Sequence, residues 1–422
     1  MKKLIAIAVV FALVAGAAFA DTSVSGTIDT RLTFIDATSV KDVDADGKEK
    51  DKPATIGRSG SGVADGYVQL SGQDDDGVIG GLVRVRANEN ISEGGPNFHR
   101  AFVWWKPLPQ LQVFLGHDLD GKFGTDPLTA WGFHQGAEGF VERHDWDFWR
   151  SVFPGNWDGF GLSLSVFPAP GVSINLVVPT GLPEWYPGEP AKAGQGLEWG
   201  QVLDSLRLQS EIGIPDIGKV FISWIGGRQD LIDSDKAEGV LNYGQIGLSF
   251  LLTAVDGLQV QLGFSTFLYN ADNLGKYPSG DDQAAPIEIG LAAHYAGGDF
   301  GVKFRSAFII GGYGGAQTTV DSWRYRAWNN WFPWTQGTLV TFNVMPWYNL
   351  GILTGYLDIG ADIAAPEGAD DSMVYFWLNP YIRKSIGPGA IRAGIMVGID
   401  APNPDVDAVI TFKVPIQFTF SF

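Results

Sequence analysis

The chain has 422 residues, of which 45% are hydrophobic and 13% aromatic, with no cysteine and a formal net charge of −18. The acidic charge argues against nucleic acid as a partner and against a polybasic mode of membrane binding. A single globular domain of this length is unusual, so we expect several domains or one large repetitive architecture. After the N terminus, no segment approaches the roughly 20 consecutive apolar residues of a membrane-spanning helix, which argues against a helical membrane protein.

The first twenty residues have the features of a secretory signal. Lys2 and Lys3 precede an apolar run, and the segment ends in the small-residue pattern Ala18-Phe19-Ala20. This order predicts a signal peptide over residues 1–20, cleaved before Asp21. Residues 21–422 are then one mature domain. Because an exported chain without cysteine has no disulfides, closure of a large hydrogen-bonded sheet is an attractive source of stability.

Both ends of the mature chain alternate apolar and polar residues with a period of two, which predicts β-strands. The apolar face of the last strand carries Ile410, Phe412, Val414, Ile416, Phe418, Phe420 and Phe422. The first strand repeats the pattern with Val24, Gly26, Ile28, Thr30, Leu32 and Phe34. In a membrane barrel the apolar face meets lipid and the other face meets water. Pro415 and Pro380 lie inside such strands without an N–H group, so we expect a bulge or an unpaired stretch at each.

Short and long connections alternate between these ends. The short ones have turn chemistry and lie at 74–77, 107–109, 169–171, 216–218, 255–257, 297–299, near 347–349 and at 387–389. The long ones fall near 37–62, 89–97, 118–159, 180–203, 228–241, 271–285, 312–336, 363–372 and 401–407. Short turns on one rim and long loops on the other are typical of outer-membrane barrels.

The sequence therefore predicts an all-β transmembrane antiparallel β-barrel of roughly eighteen strands, with short periplasmic turns and long extracellular loops. Sixteen strands is the alternative, if the hairpin near Asn349 is absent. Aromatic residues near strand ends are expected to form girdles at the membrane interfaces; they are Trp105, Trp185, Trp224, Tyr269, Tyr313, Trp347, Tyr348 and Phe422.

The signal peptide, the alternating strands with unequal rims and the terminal Phe418, Phe420 and Phe422 resemble Gram-negative-type outer-membrane porins. The terminal pattern is similar to the signal read by the barrel-assembly machinery, although Gln417 stands where that signal often has glycine. The segment from Arg100 to Gly116 is similar to the fourth and fifth strands of trimeric porins, which lead into the loop that folds into the pore. The resemblance implies a homotrimeric channel in the outer membrane, in contact with its lipid, for small hydrophilic solutes.

Alternation assigns a basic set of side chains to the inner wall, opposite the lipid face. Its candidate pore-lining members are Arg31, Arg84, Arg86, Arg100 and Lys106. The same strands add Asp29 and Trp104 to this face, and further strands add Arg207, Glu211, Lys303, Arg305, Tyr381, Arg383 and Arg392. These residues either set selectivity or are solvated wall residues that pair with their neighbours.

The longest connection, 118–159, is the candidate constriction loop, and it follows the predicted fifth strand. Its acidic residues include Asp118, Asp120, Glu138 and Glu142. Folded inward, they would face the basic wall and create a transverse field across the pore. The alternative is that the loop folds outward as a cap or packs against a neighbouring subunit.

Two further loops carry candidate ligand groups. The 312–336 loop is rich in aromatic residues, among them Trp323, Tyr325, Trp328, Trp331 and Trp334. These side chains could stack on sugar rings. Alternatively, they could pack loops against each other or form a subunit interface. Asp42, Asp44 and Asp46 match the opening of a calcium loop, but Pro53 stands where the bidentate glutamate belongs. Loosely bound calcium and a solvated acidic loop both remain open, and we expect no other cofactor.

The sequence contains no nucleophile elbow, zinc-protease motif or phosphate loop, so we do not expect an enzyme. An outer-membrane hydrolase would need a Ser-His or Asp-His cluster at the outer rim, and alternation places none there. The alternative to a solute channel is a surface-exposed structural or ligand-binding barrel, whose loops mediate contacts and whose pore is incidental.

Overall fold

A computed structural model describes residues 21–39, 41–43, 49–51, 55–56, 65–87, 97–117, 160–180, 202, 206–226, 243–269, 287–310, 313–314, 334–335, 337–366, 372–401 and 408–422. The chain forms a closed antiparallel barrel of 18 strands, as predicted. Among the described residues, no helix has the length and apolar character needed to cross a membrane.

The wall strands follow one another in chain order around the barrel. They are β1 (Asp21–Thr38), β2 (Asp65–Gln73), β3 (Ile79–Ala87), β4 (Asn97–Leu108), β5 (Leu111–His117), β6 (Phe160–Ala169), β7 (Val172–Pro179), β8 (Arg207–Ile214), β9 (Gly218–Gly226), β10 (Tyr243–Val255), β11 (Leu258–Tyr269), β12 (Ile287–Gly297), β13 (Phe300–Ile310), β14 (Gly337–Asn349), β15 (Thr354–Pro366), β16 (Met373–Ile386), β17 (Gly389–Gly394 and Met396–Ala401) and β18 (Val409–Ser421).

Three short pairings lie beyond the wall: Lys41–Val43 with Glu49–Asp51, Tyr313–Gly314 with Trp334–Thr335, and Thr55–Ile56 with the end of β1.

The barrel closes where β18 pairs with β1, from Thr27 opposite Ser421 to Thr38 opposite Thr411. At one end of this seam, Gly26 and Phe422 exchange two backbone hydrogen bonds of 2.8 and 3.0 Å. Strands spaced by ~4.8 Å and tilted by ~40° give a ring of this strand number a backbone diameter of about 35 Å. A barrel this wide has room for an internal passage.

Side chains alternate between an outward apolar face and an inward face. In β18, Ile410 and Phe418 are both 50% exposed on the outside, whereas Thr411 and Gln417 on the inside are 3% and 2% exposed. Large apolar side chains are exposed on the outer face of strands all round the ring, such as Val68, Leu262 and Ile382. The predicted period of two is therefore confirmed in the strands.

The short connections also lie close to the predicted positions. Glycines with positive φ occur in these turns, as at Gly77 (φ 65°) and Gly257 (φ 72°), where a side chain would be strained. The hairpin near Asn349 is present, which decides for eighteen strands over sixteen. Its turn lies at 350–353, a few residues later than predicted, because the ladder continues to the pair of Asn349 with Thr354.

Both prolines singled out in the sequence interrupt their ladders, as expected. The register of β1 against β18 shifts between Thr33 and Ile35, opposite Pro415. Opposite Pro380, strand β17 is broken at Ile395. Ile395 N still donates to Pro380 O at 3.0 Å, but the proline nitrogen has no hydrogen to donate in return.

The aromatic girdle is confirmed in part. Trp105, Tyr348 and Phe422 are each 52% exposed on the outer face. The prediction was wrong for Trp347, which alternation places on the inner face because Pro346 and Tyr348 flank it on the outside. Its indole lies over Gly301, where a Cβ atom would overlap it. The side chains of Trp185, Tyr269 and Tyr313 lie outside the described part of the chain.

Candidate functional site

Arg84, one of the predicted pore-lining residues, is held in place by contacts with two side chains of the neighbouring strand. It lies on β3, directly opposite Gln69 of β2. Its Nε and Nη2 atoms donate to Gln69 Oε1 at 3.0 and 2.7 Å, and its Cζ atom lies 4.2 Å from the centre of the Tyr67 ring. Two hydrogen bonds and a cation–π contact hold the guanidinium against the inner wall.

Arg100 of β4 lies directly opposite Arg84. Like charges at opposite positions of a ladder repel each other, so this pair is favourable only where water or acidic groups reach both side chains. The register places Arg86 opposite Tyr67 and Asn97, one inward position from the Arg84 pair. Three of the predicted basic residues therefore lie on neighbouring strands at nearly one level.

Arg31 and Lys106 lie apart from this group. Arg31 is opposite Gln417 on β18 and six residues beyond Ser25, the β1 residue opposite Gln69, a separation of about 20 Å along the strand. Lys106 is exposed at the short-turn rim, where its backbone N donates to Val78 O at 2.7 Å. The structure thus separates the five basic residues into a cluster and two outlying positions.

An acidic and amide-rich patch on β14–β16 was missed in the sequence. Asn343 Nδ2 donates to Asp358 Oδ1 at 2.6 Å, and Trp377 Nε1 donates to the same oxygen at 3.4 Å. Asp358 and Asn379 are both 0% exposed and face each other across β15 and β16. The alternation of Asp358, Gly360 and Asp362 would have placed both carboxylates on the inner wall by the rule used for the basic strands.

The opposite part of the wall, β6–β9, carries neutral hydrogen-bonding groups. Ser165, Asn175, Gln209 and Ser223 occupy directly opposite positions on these four strands. Near the same sector, Lys219 Nζ and Glu211 Oε1 form an ion pair of 2.6 Å. The inner wall therefore changes around the ring, from a basic cluster on β2–β4 through a mainly neutral sector on β6–β9 to an acidic and amide-rich patch on β14–β16.

Apolar clusters also face inward. One joins Phe102, Phe114 and Val177, and a second joins Phe221, Leu251, Ala292 and Ala307. The third, which we call the Met–Tyr cluster, consists of Met345, Tyr356, Tyr381 and Met396. Within it the Tyr356 and Tyr381 rings stack at 4.6 Å, and Tyr381 Oη lies 3.4 Å from Met345 Sδ.

No protein-family model matches the chain, and no curated protein matches its sequence. Solved structures do match it over almost its whole length. OprD of Pseudomonas aeruginosa superposes with a TM-score of 0.53 at 12% identity, covering 96% of both chains. OpdK of the same organism, solved with vanillate, gives a TM-score of 0.51 at 10% identity and covers 96% of this chain and 100% of its own. The chain has the outer-membrane porin fold. At these identities the likeness concerns the fold alone.

The remaining candidate residues lie largely outside the described part of this porin fold. Asp118, Asp120, Glu138, Glu142, Trp323, Tyr325, Trp328, Trp331, Asp44 and Asp46 are all outside it. The backbone of Trp334 pairs with Gly314 and that of Asp42 with Lys50, and their side chains are outside the description. Among the described residues, no three His, Asp or Glu side chains are grouped as a metal site would need.

Proposed function

We propose that this porin-fold chain is an outer-membrane channel through which small hydrophilic solutes diffuse passively. The observation that carries the proposal is the division of a closed barrel into an apolar outer face and an inner face with charged and amide groups. An arginine such as Arg84 would cost ~2–4 kcal/mol facing lipid at the membrane midplane, and a water-filled lumen removes most of this cost.

The 118–159 segment is our candidate for the constriction, folding into the lumen from the end of β5. Strand β14 lies across the ring from β5, and β13, with Lys303 and Arg305, lies across from β4. Acidic residues of the segment, among them Asp118, Asp120, Glu138 and Glu142, would therefore have basic partners on both sides of the lumen. Their field would order water in the pore and disfavour apolar solutes there.

A preference for sugars is the finer part of the proposal. The neutral row of Ser165, Asn175, Gln209 and Ser223 supports it, because hydroxyl and amide groups match polyhydroxylated solutes without adding charge. The aromatic residues of the 312–336 loop would add stacking surfaces for sugar rings.

The proposal includes the route to the membrane and the assembly. Residues 1–20 are removed as a signal peptide, the barrel-assembly machinery recognises the strand that ends in Phe422, and the mature chains associate as homotrimers. Calcium bound loosely by Asp42, Asp44 and Asp46 would stabilise the first long loop, and nothing else in the proposal needs a cofactor.

Single-channel conductance of the purified protein in a planar bilayer tests the channel. Stable steps, in groups of three for a trimer, support it, whereas a bilayer that stays closed favours the alternative of a surface barrel with an incidental pore. Liposome swelling with an oligosaccharide, compared with an amino-acid mixture of equal size, tests the preference for sugars. Equal swelling rates would refute the preference and leave the channel intact.

A further inference from the structure

The outer face of the described wall strands carries one charged side chain, Lys384 of β16. Arg383 takes an inward position opposite Arg392, so Lys384 faces outward, opposite Ile391 of β17. Its side chain is exposed, as is that of the outward Ile382 on the same strand. Every other described Lys, Arg, Asp or Glu of the eighteen strands takes an inward position by the same alternation.

Lys384 lies close to the short-turn rim, two residues before the end of β16 at Ile386. Two residues span about 7 Å along a strand, or roughly 5 Å along the membrane normal at a tilt of ~40°. Tyr348 of the aromatic girdle has a similar position, one residue before the end of β14. Because a long lysine side chain extends towards the interface, its ammonium group reaches the level of the lipid headgroups.

No protein group neutralises this ammonium within the described part of the chain. Lys384 forms no hydrogen bond or ion pair with another described residue. On the outer face Ile391 lies directly opposite it, and Gly389 and Ala393 lie at the diagonal positions of β17. A charge on the lipid face without a counter-ion is unfavourable, so an anion from the surroundings would stabilise it.

Small residues on the neighbouring strands leave space beside Lys384. Ile382, which follows Lys384 towards the membrane midplane, is 46% exposed and lies directly opposite Gly355 of β15 and Ala393 of β17. A Cβ atom at Gly355 would have no other atom within 4 Å, so the surface is open there. Strand β16 therefore forms a ridge between two shallow apolar grooves. The grooves run from Lys384 towards the midplane, in the direction of the acyl chains below a headgroup.

The electrostatics of the rim also single out this position. Exposed acidic residues lie in the short turns after β2, β8, β10 and β12; they are Asp75, Asp76, Asp216, Asp256 and Asp299. The short turns nearest to Lys384, at 350–353 and 387–388, contain no charged residue. Negatively charged headgroups are therefore repelled at several described turns and attracted at Lys384.

From these observations we infer that Lys384 and the two grooves form a binding site for an anionic phospholipid of the periplasmic leaflet. The Lys384 ammonium donates hydrogen bonds to the headgroup phosphate, and the acyl chains lie beside Ile382 in the grooves at Gly355 and Ala393. An anionic phospholipid is preferred to a zwitterionic one, whose headgroup brings a second positive charge close to the lysine. The site goes beyond the proposed channel and does not depend on it, since it lies on the outer face.

Brominated phospholipids test the site, because bromine on the acyl chains quenches a fluorophore that they contact. The chain has no cysteine, so Ile382→Cys provides a unique attachment point for bimane on the ridge. Leu262→Cys, at a 55% exposed position on β11, is the matched reference. The vesicles contain phosphatidylcholine and phosphatidylglycerol, with either one brominated. Phosphatidylglycerol should be enriched about fivefold at position 382 relative to position 262, the factor expected for one lysine beside an anionic lipid.

Substitutions of the lysine and of one groove separate charge from shape. Lys384→Gln should abolish the enrichment at position 382, whereas Lys384→Arg should retain it. Gly355→Leu should reduce the enrichment by filling one groove while the charge remains. Lys106→Gln is the matched control and should change nothing, because Lys106 is exposed at the same rim but takes an inward position. Single-channel conductance should stay at the wild-type level in all four variants.

Equal enrichment at positions 382 and 262, or enrichment that survives Lys384→Gln, overturns the lipid site. Weak quenching by both brominated lipids at position 382 also overturns it, and would show that a protein surface, such as a second copy of the chain, covers the ridge. A bilayer that stays closed would contradict the proposed channel without affecting the quenching measurement, so the two proposals fail separately.

Discussion

The arginine pair on β3 and β4 allows a quantitative test of ion selectivity. In Arg84→Gln/Arg100→Gln, two positive charges are removed from directly opposite positions of the inner wall, while the amides keep hydrogen-bonding capacity. A unit charge ~6 Å from a permeating ion contributes about 0.7 kcal/mol in water, and screening at 0.1 M salt reduces this to about 0.4 kcal/mol. Because the two charges favour anions and disfavour cations equally, the anion-to-cation permeability ratio should fall about tenfold.

The assay is the reversal potential of the purified protein in a planar bilayer under a tenfold KCl gradient. Removal of the arginines should move this potential towards cation selectivity, and the difference should vanish near 1 M salt, where the Debye length is about 3 Å. Lys106→Gln is the matched control, since it removes one positive charge from an exposed position at the short-turn rim. An unchanged reversal potential, or an equal shift in the control, would refute the prediction that Arg84 and Arg100 lie close to the path of permeating ions.

Three further outcomes follow from the barrel geometry. Leu248 is 48% exposed on the outer face, so Leu248→Arg should lower the free energy of unfolding in vesicles by ~2–4 kcal/mol. Gln112→Arg, on the inner face, should lower it by less than about 1 kcal/mol. Similar losses for the two variants would contradict the assigned faces. Gly80→Ala should destabilise the barrel by about 1–3 kcal/mol, as measured by urea titration, because the new Cβ atom would overlap the Trp104 indole. Gly355→Ala should be nearly neutral in the same titration, because no other atom lies within 4 Å of a Cβ atom at that position. Thr27→Cys/Ser421→Cys should form a disulfide that prevents unfolding in hot detergent until it is reduced, and failure to cross-link would show a different seam register.

Most of the fold could be predicted because a barrel wall has a simple local pattern. The alternation of residues 410–422 identifies the faces without knowledge of any partner strand. Turn residues such as Asp216 and Gly257 mark where each hairpin reverses, so the strand order follows from the chain order. Pro380 and Pro415 could be interpreted correctly for the same reason, since a missing N–H group acts on whatever strand lies beside it.

The candidate site was less predictable, because the register of the strand pairing decides which of its residues lie close together. Alternation gives Arg31 and Arg84 the same face, but only the pairings of β1 with β2 and β2 with β3 show that they lie far apart along the wall. The same limit applies to Trp347, whose indole covers a glycine on the neighbouring strand. The Met–Tyr cluster combines residues from β14, β15, β16 and β17, so no pattern within a single stretch of sequence predicts it.

The seam between β1 and β18 also has a consequence for how the chain folds. Every other wall strand pairs with its neighbours in sequence, whereas Thr27 and Ser421 are separated by 394 residues. For a flexible chain of that length, bringing the ends together costs about 5 kcal/mol of entropy beyond the constant term. If the hairpins form first, the sheet they build already curves the two edges towards each other, and most of that cost disappears. Closure should therefore be the last and most concerted step of folding, and the rate of barrel formation should depend more on changes in β1 and β18 than on equal changes elsewhere.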